Sequence, residues 1–479
     1  MNPILIGLIL YLAFLVIVAF WTFRFNKTLG DFLLAGRRLG TWVVAFSERA
    51  SGESAWLLLG LPGVLFAAGF VELWVAIGCT SGILFSWMFI ARPLRVATGK
   101  LGALTLPDFF ERRFDDDTHA LRIFSSLIIT FFFTFYVCAQ LMAAGKLFAL
   151  FLPITNLQAM IIGGGIIVFY TLMGGFFAVA WTDFVQAILM LITLVVLPVV
   201  AVMELGGWNS ALAQVSALHP NHLDILGGKT GMVAALSIIS GLAWGLGYMG
   251  MPHLLTRFMA IKNPNDLRKG AVIGISWAVL AFWGAMFIGL FATVLLAADA
   301  VLDQEKVMPL LAIKLFPGWI AGILIAGALA AMMSTADSQL LVSTSALAED
   351  IYHQLLNKKA DQKKLVFISR MLTLLVGVIA FVVALVSKEL VYKMVAFAWS
   401  GLGASFGPVL LLTLWWKRTT REGVLAGMIC GTLVTIVWRL TPALKATLFE
   451  IVPAFFMALL ACVIVSLLTA SHTRGGKVD

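Results

Sequence analysis

The stretch that decides the fold lies inside an apolar segment near the start of the chain. Residues 47–63 read SERASGESAWLLLGLPG, so charged side chains and a Gly-Leu-Pro-Gly sequence interrupt a membrane-length helix. Residues 244–252 read WGLGYMGMP and interrupt a second apolar segment. Backbone freed from helical bonding at membrane depth is tolerated only where it lines a cavity or is buried in protein. Two such breaks in corresponding positions of two halves predict a transporter with a binding site at the midplane.

The composition of the chain also indicates a membrane protein. Of its 479 residues, 61% are apolar and 12% are charged, whereas a soluble domain is roughly 45–50% apolar and about 25% charged. This leaves too little polar surface for a soluble enzyme, a secreted disulfide scaffold or a disordered tail. The formal net charge of +9 is not concentrated in a basic block, so we expect a lipid bilayer and no nucleic acid as partner. No obligate protein partner is evident.

Apolar runs predict thirteen membrane-spanning helices, each long enough to cross a bilayer, which takes roughly 20 apolar residues per helix. They lie near 3–22, 41–68, 70–91, 120–152, 157–176, 180–203, 232–256, 270–298, 317–352, 365–387, 391–415, 423–440 and 451–470. Spans 2–6 (41–203) and spans 7–11 (232–415) are predicted to form two five-helix repeats of inverted topology. The segments 3–22 and 423–470 are peripheral helices of a single transmembrane domain, residues 1–479.

Positive charges predict the orientation, because Lys and Arg are retained on the cytoplasmic side. With the N-terminus outside, most of the 33 Lys and Arg residues fall in cytoplasmic loops, and Arg257 is counted among them. The C-terminus is then cytoplasmic. Arg49 fits neither side.

The ninth span carries the second chemical signal. One helical face presents Ala331, Ser334, Thr335 and Ser338. Hydroxyl oxygens that face unwound carbonyls suit a small monovalent cation, although Ser and Thr also pack membrane helices and bond back to the i−4 carbonyl. Asp183 and Asp337 are further candidates, since ionisable groups at membrane depth cost several kcal/mol.

Arg49 and Glu53 are four residues apart and are predicted to form an internal pair, for which a purely structural role is the alternative. Four aromatic residues lie beside a break or in the middle of a span, too deep for the lipid interface: Trp56, Tyr136, Trp244 and Tyr248.

These motifs resemble the sodium/solute symporter family. The resemblance rests on residues 54–63 (SAWLLLGLPG), 106–110 (LPDFF), 181–183 (WTD), 244–248 (WGLGY), 252–253 (PH) and 333–341 (MSTADSQLL). It extends in order from the first span to about Leu467, and the motifs are most similar to those of the bacterial proline-transporting members. It implies an all-α, leucine-transporter-type fold with thirteen helices, alternating access, and a place in the bacterial cytoplasmic membrane.

The resemblance also implies the site residues. Sodium, the one metal expected and the coupling ion, would be held by carbonyls and hydroxyls of Ala50, Glu53, Ala331, Ser334 and Thr335. A second cation or the coupling step would involve Asp183, Asp337, Ser338 and Arg49. The amino acid would contact Ser54, Ala55, Trp56, Tyr136, Trp244, Tyr248 and Pro252. Its carboxylate could meet exposed amides at the broken helix, and its ring could stack on aromatic faces. No cofactor is expected.

The second span departs from the pattern of proline-transporting members, which read Ser-Ala-Gly-Ala-Ser-Asp-Met-Ser-Gly-Trp at 47–56. This chain has Glu48 and Arg49 for the Ala-Gly pair, Gly52 for the Asp, Glu53 for the Met and Ala55 for the Gly. In one interpretation Glu53 or Asp337 replaces the lost charge, and sodium coupling survives. In the other, Arg49 occupies the cation region or Glu53 takes a proton, and the coupling ion has changed. Arginine cannot be deprotonated in proteins, so any proton-transfer step would fall to Glu53. Both interpretations stay open.

The predicted function is therefore a secondary active symporter that imports L-proline, or a closely related small amino acid, together with sodium. The alternative is a proton-coupled or altered-cation symporter of the same fold for another small organic solute. The sequence shows no repeated filter segment of a channel, and no nucleophile or metal motif of an enzyme. We expect no enzymatic activity.

Overall fold

Helices make up almost all of the regular structure in this computed structural model, which describes residues 3–23, 33–173, 175–296 and 301–470. Outside the helices, the described residues contain one isolated bridge, between Leu39 and Ile261. The helices of the first half are α1 Pro3–Phe23, α2 Thr41–Ala55, α3 Leu61–Ala68, α4 Leu73–Phe85, α5 Arg92–Leu101, α6 Leu106–Arg113, α7 Ala120–Phe151, α8 Asn156–Met173, α9 Phe176–Glu204 and α10 Trp208–Leu218.

The second half continues the same pattern of long apolar helices and short connections. Its helices are α11 Gly231–Leu242, α12 Trp244–Gly247, α13 Pro252–Ala260, α14 Leu267–Leu295, α15 Val307–Leu315, α16 Gly318–Ser345, α17 Gln362–Val386, α18 Val391–Trp415, α19 Arg421–Leu440, α20 Pro442–Lys445 and α21 Ile451–Thr469. A π-helical segment, Ala346–Leu356, extends α16 without a break.

Each of the thirteen predicted spans coincides with a helix or with several consecutive helices. By length and hydropathy, nine helical stretches among the described residues can cross a membrane, or ten if the bent pair formed by 231–247 and Pro252–Ala260 is one span. The number is lower because Thr41–Leu101 runs as one helical stretch, and because α1 and α8 are counted only over Pro3–Val18 and Asn156–Phe169. An all-α membrane protein is confirmed, and thirteen crossings stay a prediction.

Both predicted helix breaks are present. In α2 the backbone leaves helical geometry at Ser54, where φ is 48° and ψ is −172°, and a π-helical turn, Trp56–Gly60, precedes α3. In the second half, residues 248–251 separate α12 from α13, and the chain bends by 43° there. A positive φ is strained for a residue other than glycine, so the surroundings must hold Ser54 in place.

The broken helix α2 lies in the centre of the helix packing. It contacts α9, α14 and α16, and α16 in turn contacts α1, α7 and α9. Glycine lets the other broken segment approach closely: a Cβ on Gly82 of α4 would lie 2.5 Å from the Cα of Gly245 in α12. A side chain at Gly82 would therefore push α12 away from α4. The helices α9, α14 and α16 therefore pack against the first broken helix, and α4 packs against the second.

Candidate functional site

The break in α2 is stabilised by side chains from its own turn and from α7. The backbone N–H of Trp56 donates to Ser54 Oγ at 3.1 Å, and that of Ala55 donates to Gln140 Oε1 at 3.0 Å. Tyr136 hydroxyl donates to Ser54 Oγ at 3.5 Å. The amides of Ala55 and Trp56 thus already have acceptors, although the sequence led us to expect exposed amides at the broken helix that could meet a substrate carboxylate. Gln140 was not predicted from the sequence, because it lies in an uninterrupted apolar helix.

The oxygens predicted to hold sodium converge between α2 and α16. Ser334 Oγ donates to the carbonyls of Ala50 at 3.0 Å and Ala331 at 3.1 Å. Thr335 Oγ1 donates to the carbonyl of Ser51 at 3.0 Å. Four of the five predicted residues are thus brought to one place, and the carbonyl of Ser51 joins them.

The remaining member of the sodium set is placed differently. The carbonyl of Glu53 accepts the backbone N–H of Trp56 at the end of α2. Its side chain points into another cluster of charged groups, where it pairs with Arg49. A carbonyl oxygen has two lone pairs, so the Glu53 carbonyl keeps the capacity to bind a cation.

Asp183 is the centre of a fully buried polar cluster beside these oxygens. Its Oδ2 accepts hydrogen bonds from Ser47 Oγ at 2.7 Å, Ser51 Oγ at 2.8 Å and Arg257 Nη2 at 2.9 Å. Arg257 Nη2 also contacts Ser51 Oγ at 2.8 Å. Ser338 of α16 contacts the same guanidinium nitrogen. Four elements, α2, α9, α13 and α16, therefore meet at the buried ion pair of Arg257 and Asp183.

Asp337 extends this cluster along α16. Ser338 Oγ lies 3.1 Å from Ser51 Oγ and donates to Asp337 Oδ1 at 3.3 Å. Asp183 Oδ1 and Asp337 Oδ2 are buried and have no hydrogen-bond partner among the described residues. Buried polar atoms are normally paired, so two such carboxylate oxygens are free to bind a cation. Asp183, Asp337 and Ser338, predicted as one set, lie together.

Arg257 corrects the assignment of charges made from the sequence. Counted there with the cytoplasmic loops, it is instead fully buried in α13, within hydrogen-bond reach of Asp183 and of the His253 carbonyl, to which Nη1 donates at 2.6 Å. Burial of an arginine requires a paired anion, and Asp183 provides it. The pairing was not visible because the two residues are 74 positions apart.

Arg49 lies on the opposite face of α2 and not with Asp183 and Asp337. Its Nε donates to Glu48 Oε2 at 2.6 Å, its Nη1 donates to Glu53 Oε1 at 2.7 Å, and its Nη2 contacts Glu48 Oε1. All three residues are buried. Ser47 and Ser51 point the other way because successive helical positions are turned by about 100°. The predicted pair of Arg49 and Glu53 is present. The predicted grouping of Arg49 with Asp183, Asp337 and Ser338 is not.

Two donors satisfy the outer atoms of this triad. Trp87 Nε1 donates to Glu48 Oε2 at 3.1 Å, and the Tyr248 hydroxyl lies 3.2 Å from each Glu53 carboxylate oxygen. The ring of Tyr248 also lies under the Arg49 guanidinium, 5.3 Å from its central carbon. Tyr248, predicted for the substrate pocket, thereby connects that pocket to the charged triad.

Stacked aromatic rings form the wall predicted for the substrate. The rings of Trp56 and Trp244 stack with centroids 4.8 Å apart, and Tyr392 lies 5.2 Å from Trp244. Trp399 packs edge-on against Tyr248 at 4.6 Å and donates its Nε1 to the Trp244 carbonyl at 2.9 Å. Tyr392 and Trp399, both on α18, were not predicted, because no break or polar cluster marks them.

The predicted substrate residues do not all line one space. Trp244 and Tyr392 border a surface depression of about 660 Å³ that is flanked by charged residues. Pro252, at the start of α13, lines a separate cavity of about 20 Å³ together with Phe176 and Ser345. The structure therefore brings Ser54, Tyr136 and the aromatic wall to the break in α2, and places Pro252 on another cavity.

Comparison with known proteins identifies the family. The family model described as "Sodium:solute symporter family" matches residues 32–431. The chain is 40% identical to the high-affinity proline transporter PutP of Bacillus subtilis (strain 168), over 96% of this chain and 97% of that protein. It is also 40% identical to the sodium/proline symporter of Escherichia coli (strain K12), over 98% of this chain and 93% of that protein.

A solved structure extends the likeness to the fold. A Na⁺-coupled sialic acid symporter in a substrate-bound outward-open state superposes with a TM-score of 0.82, at 19% identity, over 99% of both chains. The predictions of a leucine-transporter-type fold and of a symporter in place of an enzyme are confirmed. The chain belongs to the sodium:solute symporter family.

Proposed function

We propose that this chain is a secondary active symporter that imports L-proline, or a closely related small amino acid, with sodium by alternating access. The proposal follows the relatives named as proline transporters at 40% identity over nearly the full chain. The observation that carries it is the convergence of Ser334 Oγ on the carbonyls of Ala50 and Ala331 beside the break at Ser54.

Sodium fits these atoms because they are neutral oxygens drawn from two helices that would move relative to each other. Hydroxyl and carbonyl oxygens suit a hard monovalent cation, because an ion with a single charge can be bound by neutral oxygen ligands. A bound sodium would replace the hydrogen bonds between α2 and α16 with its own contacts. The ion would thereby couple the position of α16 to the shape of the substrate pocket at the break.

Asp183, Asp337 and Ser338 supply the second position for a cation or its path inward. Arg257 neutralises one of the two carboxylates, so the three ionisable groups carry a formal charge of −1 in total. One monovalent cation balances this charge. The two unpaired carboxylate oxygens are the atoms that would receive it.

The larger organisation follows from the same proposal. Residues 41–203 and 232–415 form the two inverted repeats, each beginning with a broken span, and 3–22 and 423–470 lie at the periphery. The chain crosses the bacterial cytoplasmic membrane thirteen times, with the N-terminus outside and the C-terminus in the cytoplasm. The excess of Lys and Arg on one side of the membrane supports this orientation.

Uptake of labelled L-proline by proteoliposomes tests the proposal. An inward sodium gradient should drive accumulation with no proton gradient present, and replacing sodium by choline should reduce uptake to the level of empty liposomes. A proton gradient that drives uptake while sodium makes no difference would overturn the assignment of the coupling ion. A panel of competing amino acids would then define the preferred side chain.

The buried triad of Arg49, Glu48 and Glu53 favours a second candidate, in which a proton is the coupling ion. Arginine remains charged, so Glu53, with Tyr248 beside both of its oxygens, would have to carry the proton. The variant Glu53→Gln distinguishes the two candidates. Sodium coupling predicts that sodium-driven uptake persists with an unchanged pH profile, whereas proton coupling predicts that transport is lost or becomes independent of pH.

A further inference from the structure

The side-chain amide of Gln140 is fixed in orientation by the break in α2. The backbone N–H of Ala55 can only donate, so the amide atom 3.0 Å from it must be the oxygen Oε1. This settles the assignment of the two amide atoms, which resemble each other in shape. The Nε2 group therefore lies at the break, with its hydrogens directed away from the Ala55 amide.

This Nε2 group is an unused donor at a place where donors are normally satisfied. Gln140 is fully buried, and its Nε2 has no hydrogen-bond partner in the part of the chain that the structure describes. Trp56 Nε1, on the residue that follows Ala55, is a second buried donor without a partner there. Leaving a buried donor unpaired costs about 1–3 kcal/mol. Both donors belong to residues that contact or adjoin the break.

The remaining donors at the break are already engaged. The amides of Ala55 and Trp56 donate to Gln140 Oε1 and Ser54 Oγ, and the Tyr136 hydroxyl points to Ser54 Oγ. A ligand with acceptor oxygens therefore meets side-chain donors here and not bare backbone. Arg49 pairs with both carboxylates of this region, Glu48 and Glu53, and so neutralises one of their two negative charges.

We propose that Gln140 is a substrate-binding residue whose Nε2 receives the carboxylate of the transported amino acid, while its Oε1 holds the broken backbone in the conformation that forms the pocket. This inference rests on the proposed function, because it takes an amino acid as the ligand. It adds the residue that selects for the carboxylate, and it predicts that analogues without a negative charge at this position bind weakly.

Gln140→Glu separates the two roles of the side chain. A glutamate of nearly the same shape still accepts the Ala55 N–H, but it replaces the donor with a negatively charged oxygen facing the ligand. Gln140→Ala removes both roles without burying a charge. Proteoliposome uptake of L-proline, and its inhibition by L-prolinamide, would be measured for both variants and the unmodified protein, with thermal unfolding of each as the check on folding.

The expected result is a change in discrimination. Because a hydrogen bond to a charged group is worth a factor of about ten or more, KM for L-proline should rise at least about tenfold in Gln140→Glu. The inhibition constant of L-prolinamide should change much less, so the preference for the carboxylate should shrink in both variants. A merely structural role would weaken both ligands in parallel.

The control is a second buried glutamine. Gln186 in α9 donates its Nε2 to the Tyr11 hydroxyl at 2.9 Å and lies outside the break. Gln186→Glu buries the same new carboxylate and should keep the ratio of the two constants unchanged. A stable Gln140→Ala or Gln140→Glu protein with an unchanged ratio would overturn the inference. Failure of the unmodified protein to transport L-proline or any closely related small amino acid would instead overturn the proposed function.

Discussion

Two buried clusters on opposite faces of α2 have the same formal charge and different surroundings. Arg49 with Glu48 and Glu53, and Arg257 with Asp183 and Asp337, each combine one guanidinium with two carboxylates. The first cluster is local to one helix, and hydrogen-bond donors from Trp87 and Tyr248 complete it. The second joins four elements and borders hydroxyl and carbonyl oxygens.

This difference shows that charge alone does not define a cation site. A carboxylate that is already satisfied by an arginine and by N–H or O–H donors offers little to an ion, because each new contact must displace an existing one. The cluster around Asp183 keeps two carboxylate oxygens unpaired among the described residues and has serine hydroxyls that can turn their oxygens to a cation. We therefore propose that coupling involves the Asp183 face and that the Arg49 face has a structural role.

The largest effect is expected at the ion pair between Arg257 and Asp183. Arg257→Gln leaves a buried carboxylate without its cation, which costs about 3–5 kcal/mol, so uptake should be lost and the temperature of thermal unfolding should fall. The double variant Arg257→Gln with Asp183→Asn removes both charges. It should recover most of the thermal stability but not transport, because the cluster keeps its formal charge of −1 but loses one of the two carboxylate oxygens proposed to receive the cation.

A normal unfolding temperature in Arg257→Gln would contradict this account of the pair. It would mean that the contact at 2.9 Å does not hold α9 and α13 together in the folded protein.

A smaller effect is expected at Ser334, whose hydroxyl is the proposed sodium ligand. Ser334→Ala should raise the sodium concentration for half-maximal L-proline uptake about tenfold, since an interaction with a charged partner is worth about 1.5–3 kcal/mol. Ser343→Ala is the matched control: it lies on the same helix, is buried, and its Oγ has no partner among the residues described. An equal response of both variants would argue against a specific sodium site.

The smallest effect is expected at Tyr248, which connects the charged triad to the aromatic wall. Tyr248→Phe removes the hydroxyl that faces Glu53 and keeps the ring beside Arg49 and Trp399. Because Arg49 still pairs with Glu53, stability should fall by only about 1 kcal/mol, and KM for L-proline should rise by less than about threefold. A loss of uptake would show that the hydroxyl itself takes part in transport or coupling.

Sequence patterns predicted those parts of the site that are local in the chain. The two breaks, the pair of Arg49 and Glu53, and the oxygens of Ser334 and Thr335 all follow from spacing within one helix or from Gly and Pro. Contacts between residues distant in sequence were not predicted. Arg257 was assigned to a cytoplasmic loop, although it is buried and paired with Asp183.

The sequence also did not identify three site residues on other helices, Gln140, Tyr392 and Trp399. Each lies in an uninterrupted helix, where nothing in the local pattern distinguishes a side chain that contacts a broken helix from one that only packs. Such residues are identified by the helix that they contact, which is a property of the fold. The break in α2 could be located from the sequence. The residues of other helices that contact this break could not.

The most direct test of the division between the two faces of α2 is equilibrium binding of ²²Na⁺ to the purified protein. The unmodified protein, Ser334→Ala and Glu53→Gln would be compared in the presence and absence of L-proline. We predict that Ser334→Ala loses most of the bound sodium, whereas Glu53→Gln retains sodium binding that L-proline enhances. Sodium binding that survives in Ser334→Ala and disappears in Glu53→Gln would contradict the account.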